Sequence, residues 1–362
     1  MNATFPAAPE LIEWHAPRLG PLLDRFERDQ ALHTTLLFTG VEGVGKKSLA
    51  LHFIHLLFCD RSIFATVEEP EDSLFGAPLE ETPRTRVACG ECGSCIRASR
   101  GQWLDLIWIE PETDEEGKRL GTHKIKPFRD LKEKLGLGPA EEPFRVVVIA
   151  DADRMNQESA NSILKVLEEP PKNWLFILTA SDSSRLLPTI LSRCMEIKFS
   201  PLDPERIFSI LKRDPSSEFA SRRAKVASRA AMGSITRAKS CLEEETWELR
   251  DRLIGLLSNP AAEWMRLIES ISTGQARLNL TLDLMETLLM DLLSHRIKGD
   301  AHVWIHEDQK EPLIEIADRL GWDSTRLIRT LESIAERRRH TGLTLNAKLL
   351  AQEILAPWME RP

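Results

Sequence analysis

The sequence has no long hydrophobic run and no secretory signal pattern. Its longest apolar stretches, such as Leu-Leu-Phe at 56–58, are a few residues long. A membrane-spanning helix needs about 20 consecutive apolar residues. The first 20 residues also lack a charged stretch followed by an apolar one, which is the pattern of a signal peptide. These absences predict a cytoplasmic protein without a membrane partner.

The sequence also has no excess of positive charge. Acidic residues outnumber basic ones by 56 to 48, and the formal net charge is −8. A stand-alone nucleic-acid-binding domain is usually basic, so this balance argues against that class but leaves room for a local basic face. One such stretch is predicted to be helical and is interpreted as a solvated face or as a DNA contact. Its basic residues are Lys124, Lys126, Arg129, Lys132 and Lys134.

The first 200 residues alternate between two kinds of pattern. Short β-branched and apolar runs predict strands at 34–39, 104–109, 145–149 and 175–179. Helical periodicity predicts helices at 48–58, 125–137 and 156–169. Such alternation indicates an α/β domain with a parallel sheet. The stretch 60–88 is rich in Pro, Glu and Asp and is predicted to be a long loop.

Beyond residue 200 the strand signals stop and helical patterns follow one another. Short helices are predicted over 204–243, and longer ones at 246–257, 260–272, 276–297, 310–320, 324–338 and 345–358. A chain of 362 residues is expected to hold two or three domains. We predict an α/β domain at 1–199, a small helical domain at 200–244 and a larger helical domain at 245–362.

A glycine-rich loop at 40–48 joins the first predicted strand to the first predicted helix. Its sequence is Gly-Val-Glu-Gly-Val-Gly-Lys-Lys-Ser, which matches the phosphate-binding pattern G-x-x-x-x-G-K-[ST] except at one position. Gly40, Gly43 and Gly45 let backbone N–H groups point at phosphate oxygens. Lys46 supplies a cation for the outer phosphates. The loop is therefore predicted to be a cradle for a nucleotide.

The exception is Lys47, which stands where the pattern has the hydroxyl that holds Mg²⁺. An ammonium group has no lone pair for a metal, and its charge repels a cation. Ser48 does not replace the hydroxyl, because the next position along a helix points about 100° away. The loop thus lacks one of the usual ligands for the metal.

Three cysteines lie close together in the sequence Cys89-Gly-Glu-Cys92-Gly-Ser-Cys95. In a reducing compartment such a cluster indicates a metal more often than a disulfide, and zinc takes four tetrahedral ligands. Cys59 or a more distant histidine would complete the set, and we predict Cys59. No water-activating residues accompany the cluster, so a closed structural zinc site is predicted. A redox or incidental cluster is the alternative.

Several motifs follow one another in an order that resembles a known family. After the glycine-rich loop and the cysteine cluster come VVVIADADRM at 146–155, NQESANSILKVLEEPP at 156–171, LFILTAS at 175–181 and LLPTILSRC at 186–194. Together they resemble the clamp-loader family of the AAA+ ATPases, and within it the delta-prime subunits of bacterial DNA polymerase III. These motifs cover about the first 200 residues, and the segments 233–242 and 346–355 resemble the family's later helical domains.

The resemblance implies a three-domain fold. An AAA+ domain would carry the zinc module near 59–95, followed by a small helical lid and an all-α collar that joins a ring of subunits. Members of the family open a sliding clamp and place it on primed DNA with the use of ATP. The implied partners are the gamma/tau and delta subunits, the sliding clamp, and primer-template DNA through the complex.

The chain departs from the family at the second metal-binding motif. ATP-hydrolysing members have Asp-Glu there, and this chain has Ala150 and Asp151. Ala150 cannot coordinate Mg²⁺, and the Asp151 carboxylate is one methylene shorter than that of glutamate. A displaced base can lower a rate about 10²-fold. Together with Lys47, these residues predict no intrinsic ATPase activity, while binding of ATP and Mg²⁺ is left open.

The resemblance also assigns an arginine finger to Arg193, within Ser192-Arg193-Cys194. Such an arginine stabilises charge on the phosphoryl group transferred in a neighbouring subunit. Arg237 would correspond to the sensor-2 arginine and Thr179 to the sensor-1 region. The alternative for Arg237 is a solvated helix arginine, and the alternative for Thr179 is an ordinary strand threonine.

The predicted function is a non-hydrolysing clamp-loader subunit, within the DNA polymerase III holoenzyme, that supplies Arg193 in trans. The first alternative is an ATP-hydrolysing gamma/tau-type subunit, which the changes at Lys47 and Ala150 disfavour. The second is an unrelated zinc-containing P-loop protein, which the ordered series of motifs disfavours.

Overall fold

The structure is a computed structural model that describes most of the chain. The described residues are 9–29, 35–66, 84–112, 121–142, 144–213, 221–258, 260–271, 275–340, 352 and 355. The chain divides into two compact units, Met1–Ile210 and Leu211–Pro362. Among the described helices, none is both long enough and apolar enough to cross a membrane.

The strands of the described residues all lie in the first unit. They are β1 (Thr35–Thr39), β2 (Ile63–Thr66), β3 (Arg84–Val87), β4 (Leu106–Ile109), β5 (Arg145–Ile149), β6 (Trp174–Ala180) and β7 (Met195–Lys198). Five of them form a parallel sheet in the order β4-β5-β6-β1-β7. The predicted α/β architecture with a parallel sheet is therefore confirmed.

Helices alternate with these strands along the chain. They are α1 (Pro9–Asp29), α2 (Lys46–Phe58), α3 (Gly93–Ser99), α4 (Lys126–Lys134), α5 (Gln157–Glu168), α6 (Pro188–Leu191) and α7 (Pro204–Arg213). The start of α5 is fixed by Asn156, whose side chain accepts a hydrogen bond from the backbone N–H of Ser159 at 2.8 Å. Its end precedes Pro170 and Pro171, which cannot continue a helix.

Alternate residues of the central strands pack on opposite faces of the sheet. Leu37, Val147 and Phe176 contribute to a core that includes Phe128 of α4 and Ile163 of α5. On the other face, the Phe38 ring packs against Phe53 of α2 with centroids 6.3 Å apart and against Phe199 at 4.9 Å. Every position of β1, β5 and β6 is buried, as expected for strands covered on both faces.

The prediction that 60–88 is one long loop is wrong near both ends of the stretch. Strands β2 and β3 pair there in antiparallel fashion, with Ile63 opposite Val87 and Thr66 opposite Arg84. The prediction failed because it judged the stretch by its overall Pro, Glu and Asp content, whereas each strand is only four residues long. The residues between the two strands lie outside the described part of the chain.

The second unit contains helices and no strand among its described residues. Its helices are α8 (Ser221–Ala230), α9 (Ile235–Ser240), α10 (Glu244–Ser258), α11 (Pro260–Ile271), α12 (Gln275–Lys298), α13 (Lys310–Arg319) and α14 (Ser324–His340). Leucines of α12 lie at its core, namely Leu278, Leu282, Leu284, Leu288 and Leu292. The predicted helix at 345–358 falls outside the described residues apart from 352 and 355. The division into lid and collar stays a prediction.

Candidate functional site

The glycine-rich loop connects β1 to α2, and its glycines are required by packing. Gly40 has φ 150° and Gly45 has φ 94°. A Cβ atom on Gly40 would lie 2.5 Å from the carbonyl oxygen of Phe199, and one on Gly45 would lie 2.4 Å from Leu11 Cδ2. Gly43 also has a positive φ, of 79°. The loop thus keeps the curled shape that the sequence predicts.

The Lys46 ammonium group is turned onto the loop itself. Its Nζ donates to the carbonyl oxygens of Gly40 at 2.6 Å and Val41 at 2.9 Å, and to Ser181 Oγ at 3.1 Å. An ammonium group has three hydrogens to donate, so these contacts use all of them. Burial lowers the pKa of Lys46 to about 8. A phosphate would have to replace these bonds to engage Lys46.

Lys47 reaches the opposite side of the site. Its Nζ lies 3.0 Å from Asp151 Oδ2 and 3.8 Å from Glu110 Oε2. Glu110 follows β4 and Asp151 follows β5, and parallel strands bring their carboxyl ends to the same edge of the sheet. An ammonium group therefore lies between two carboxylates, in the region where the motif's hydroxyl would hold a metal.

A buried alanine occupies the position predicted for the second metal contact. Ala150 is fully buried at the end of β5. Asp151 adopts a left-handed backbone conformation with φ 52°, which aspartate tolerates better than most residues. Its backbone N–H donates to Thr179 Oγ1 at 2.9 Å. The threonine of the predicted sensor-1 region thus holds the backbone of Asp151.

Sequence reasoning missed two residues beside this site. His123 is buried, and its Nε2 lies 2.9 Å from the Ala150 carbonyl oxygen and 3.2 Å from that of Asp151. Nothing around His123 in the sequence signals this role. Glu110 had a usable signal, because an acidic residue directly after a parallel strand points to the edge where sites form.

Arg193 is held against its own subunit. Its Nη2 donates to Glu168 Oε1 at 2.6 Å, and its Nη1 donates to the Thr189 carbonyl oxygen at 2.8 Å and to Ser192 Oγ at 3.1 Å. The side chain is nevertheless 31% exposed. Burial raises the pKa of Cys194 to about 12, so that thiol stays protonated. The arginine is therefore accessible and oriented by neighbours at the end of α5 and around α6.

Several of the other predicted basic residues are paired within their own units. Arg237 is paired within the helical unit, where its Nη2 lies 3.2 Å from Asp283 Oδ1. On and before α4, Lys124 pairs with Glu112 at 2.5 Å and Arg129 pairs with Glu158 at 3.2 Å. The remaining lysines of that stretch are exposed, namely Lys126, Lys132 and Lys134. These contacts are those of a solvated helix face.

The four predicted metal ligands come together in one cluster. The antiparallel pairing of β2 with β3 returns the chain so that Cys59, before the first strand, meets Cys89, after the second. Cys92 and Cys95 follow at the start of α3. The sulfur atoms of all four cysteines lie within 4.8 Å of one another. The hairpin explains how ligands separated by 30 positions in the sequence can share one site.

The cluster has the dimensions of a zinc site. A tetrahedral site with Zn–S bonds of about 2.3 Å separates its sulfur atoms by about 3.8 Å. The Cys59 Sγ lies 3.7 Å from that of Cys95 and 4.0 Å from that of Cys92, and the Cys89 Sγ lies 3.8 Å from that of Cys95. Backbone N–H groups of Glu91 and Cys92 lower the pKa of Cys89 to about 6. These thiols could hold a zinc ion.

The two regions support different chemistry. The loop region contains two buried or half-buried ammonium groups beside the carboxylates of Asp151 and Glu110. The cysteine cluster, found among the described residues, consists of four soft sulfur ligands. Soft thiolate ligands favour a structural metal rather than Mg²⁺.

Known proteins that this chain resembles are subunits of DNA polymerase III. It is 29% identical to subunit tau of Salmonella typhimurium over 74% of this chain and 40% of that protein. It is 27% identical to subunit delta' of Escherichia coli over 85% of this chain and 83% of that protein. The chain spans 40% of the Salmonella tau subunit and 29% of the Escherichia coli tau subunit.

One solved structure with a similar backbone is that of a gamma-subunit-related protein of DNA polymerase III from Thermotoga maritima. The match covers 95% of this chain and 99% of that chain, with 18% identity and a TM-score of 0.43. A family model described as DNA polymerase III, delta subunit, matches residues 17–203, which is more than half of the 362 residues. The chain therefore belongs to the DNA polymerase III delta subunit family.

Proposed function

We propose that this chain is a delta-prime-type subunit of the DNA polymerase III clamp loader. It does not hydrolyse ATP itself, and it supplies Arg193 to the nucleotide of a neighbouring subunit. The observation that carries the proposal is the ion pair of 3.0 Å between Lys47 and Asp151. The ammonium group takes the place of a metal-binding hydroxyl, and it engages the carboxylate that remains beside Ala150.

The similar proteins support a place in this assembly without choosing the subunit type. They are named both as tau and as delta' subunits. The tau matches favour the second candidate, an ATP-hydrolysing gamma/tau-type subunit. That candidate needs a working Mg²⁺ site. The charge of Lys47 repels a metal cation and the methyl group of Ala150 cannot bind one, so both argue against such a site. The two candidates differ in whether the isolated chain turns over ATP.

The proposed architecture follows from the same assignment. The AAA+ domain would span 1–199, within the first unit. A lid at 200–244 would begin at the end of the first unit and continue into the helical unit, and a collar would span 245–362. The proposed partners are the gamma/tau and delta subunits, the sliding clamp, and primer-template DNA through the complex. The protein would act in the cytoplasm as a component of the DNA polymerase III holoenzyme.

Cys59, Cys89, Cys92 and Cys95 would hold one structural zinc ion. Three of the sulfur separations lie between 3.7 and 4.0 Å, and all lie within 4.8 Å, which supports this assignment. When bound, zinc would crosslink the end of α2, the hairpin of β2 and β3, and α3. The site would thus stabilise a module whose two strands are each four residues long.

The test is an ATPase assay of the isolated chain and of a reconstituted ring with the gamma/tau and delta subunits of the same replication system. We expect no turnover from the isolated chain. In the ring, Arg193→Ala should lower clamp- and DNA-stimulated hydrolysis by about 10³-fold or more at the site it serves, because a trans arginine finger contributes about that factor.

The matched control is Arg185→Ala, which removes another exposed arginine from the adjoining segment, paired within its own turn with Asp182. It should leave stimulated hydrolysis unchanged. Turnover by the isolated chain that Lys46→Ala abolishes would instead establish the gamma/tau type. Unchanged hydrolysis in the ring with Arg193→Ala would remove the trans finger from the proposal.

A further inference from the structure

A histidine lies against the cysteine cluster and has no role in the function proposed above. His55 is on α2, four positions before Cys59, and residues four apart lie on the same face of a helix. Its Nε2 lies 3.2 Å from Cys95 Sγ. His55 is 8% exposed and Cys95 is 2% exposed, so water does not compete for this contact.

The imidazole ring is held in place by packing. The Trp103 ring meets it edge to face, with centroids 5.7 Å apart and an interplanar angle of 78°. Trp103 also packs on Phe58 of the same helix, at 5.9 Å. The Trp103 ring thus packs against the imidazole that lies beside Cys95.

The negative charge of a zinc-bound cluster favours hydrogen-bond donors beside its sulfur atoms. Four thiolates around one Zn²⁺ carry a net charge of −2, and hydrogen bonds to sulfur spread that charge. Backbone N–H groups serve three of the sulfurs. That of Cys89 donates to Cys59 Sγ at 3.3 Å, that of Cys92 donates to Cys89 Sγ at 3.4 Å, and that of Gly90 donates to Cys95 Sγ. Cys95 is the most buried of the four cysteines, and His55 offers it a side-chain donor.

The direction of this bond follows from the chemistry of the metal site. A metal-bound thiolate can only accept hydrogen bonds, so the hydrogen must be on Nε2 of His55. We propose that His55 donates this hydrogen bond to Cys95 Sγ, orients the thiolate toward the metal and slows the release of zinc. The inference rests on the zinc site of the proposed function. His55 is a positioning residue and not a metal ligand.

The experiment measures zinc transfer from the full-length chain to a chromophoric chelator at fixed pH. His55→Leu removes the donor and introduces an apolar side chain. It should release zinc about 10- to 100-fold faster, because loss of such a partner lowers metal affinity by about that factor. His55→Gln retains an N–H donor and should restore release to within a few-fold of the wild-type rate. His52→Leu, a buried histidine one turn earlier, should change nothing.

A spectroscopic measurement separates a hydrogen bond from simple packing. In the cobalt-substituted chain, His55→Leu should shift the sulfur-to-metal charge-transfer band to lower energy, because the thiolate loses a donor and becomes more electron-rich. His55→Gln should leave the band near its wild-type position. Equal zinc release by the leucine and glutamine variants, with no shift of this band, would overturn the role of His55.

The outcomes also separate this inference from the assignment of the metal. A wild-type chain that binds no zinc after reconstitution would overturn the zinc site itself. A wild-type chain with one zinc ion, and a His55→Leu variant that releases it at the wild-type rate, would overturn only the inference about His55. Neither result depends on the ATPase assay.

Discussion

Lys47 Nζ lies 3.0 Å from Asp151 Oδ2, which makes the two departures from the family's nucleotide site a single interaction. The residue that replaces the metal-binding hydroxyl neutralises the carboxylate that remains. Their side chains are 18% and 9% exposed, so neither charge is well solvated. A substitution at either residue is therefore expected to leave the charge of the other without this partner.

The first prediction concerns the stability of this pair. Lys47→Met keeps most of the apolar stem and removes the ammonium group, which deprives the Asp151 carboxylate of this partner. We expect a loss of about 1–3 kcal/mol in the free energy of unfolding, measured by urea denaturation. The control is Lys172→Met at an exposed position, which should stay within about 0.5 kcal/mol of wild type.

A double variant gives the sharper comparison for the same pair. In Lys47→Met with Asp151→Asn, the carboxylate is neutral and no longer needs a cation. The double variant should therefore be more stable than the sum of the two single effects predicts, by at least about 0.5 kcal/mol. Additive effects would mean that the two residues do not depend on each other.

Local signals made part of the fold predictable. β5 is recognisable as a buried strand because Val146, Val147, Val148 and Ile149 are consecutive β-branched residues, and α5 has a capping asparagine and a proline stop. β7 was missed because Met195-Glu-Ile-Lys has no such run. Its strand form comes from pairing with β1, a contact that no local pattern encodes.

The same distinction applies to the candidate site. The motifs identify Lys47 and Asp151 one at a time, but their contact arises from the strand order of the sheet. His123 reaches the carbonyl oxygens of Ala150 and Asp151 from a segment without a motif. The grouping of Cys89, Cys92 and Cys95 was predictable from their spacing, and the hairpin that brings Cys59 to them was not.

The second prediction tests whether packing of the glycine-rich loop requires glycine at position 40. Gly40 has a positive φ, and a Cβ atom there would lie 2.5 Å from the Phe199 carbonyl oxygen, which leaves no room for alanine. Gly40→Ala should cost about 2–3 kcal/mol of unfolding free energy in the absence of nucleotide. Gly136→Ala, where a Cβ meets nothing within 4 Å, should be neutral or slightly stabilising. Equal stability of the two variants would contradict a packing role for Gly40.

The third prediction concerns the contact between Arg193 and Glu168, whose charged atoms lie 2.6 Å apart. In the reconstituted ring, Glu168 would compete with the neighbour's phosphate for the same guanidinium group. Glu168→Gln should therefore raise stimulated ATP hydrolysis by about two- to fivefold, the range expected for an exposed ion pair. Glu169→Gln, at the next and also exposed position, should have no effect. A lower rate with Glu168→Gln would mean that Glu168 positions the finger instead of restraining it.

The last prediction concerns acid sensitivity in the helical unit. His306 is 1% exposed, and its Nε2 lies 3.0 Å from Thr287 Oγ1. Burial lowers the pKa of His306 to about 3, the nearby Arg250 also lowers it, and Asp308 opposes the shift. The unfolded chain keeps a histidine pKa of about 6.5, so between these two values the unfolded state binds a proton that the folded state does not.

Acid should therefore destabilise the folded chain through His306. Stability contributed by the neutral imidazole is fully present above pH 6.5 and falls as the pH is lowered, by about 1.4 kcal/mol per pH unit at most. Thermal unfolding of the full chain should show a smaller drop in Tm between pH 7 and pH 5 for His306→Gln than for wild type. His295→Gln, at a half-buried position of α12, should retain the wild-type drop. An identical drop for His306→Gln and wild type would show that His306 does not contribute to the acid sensitivity, since only the buried imidazole is removed in that variant.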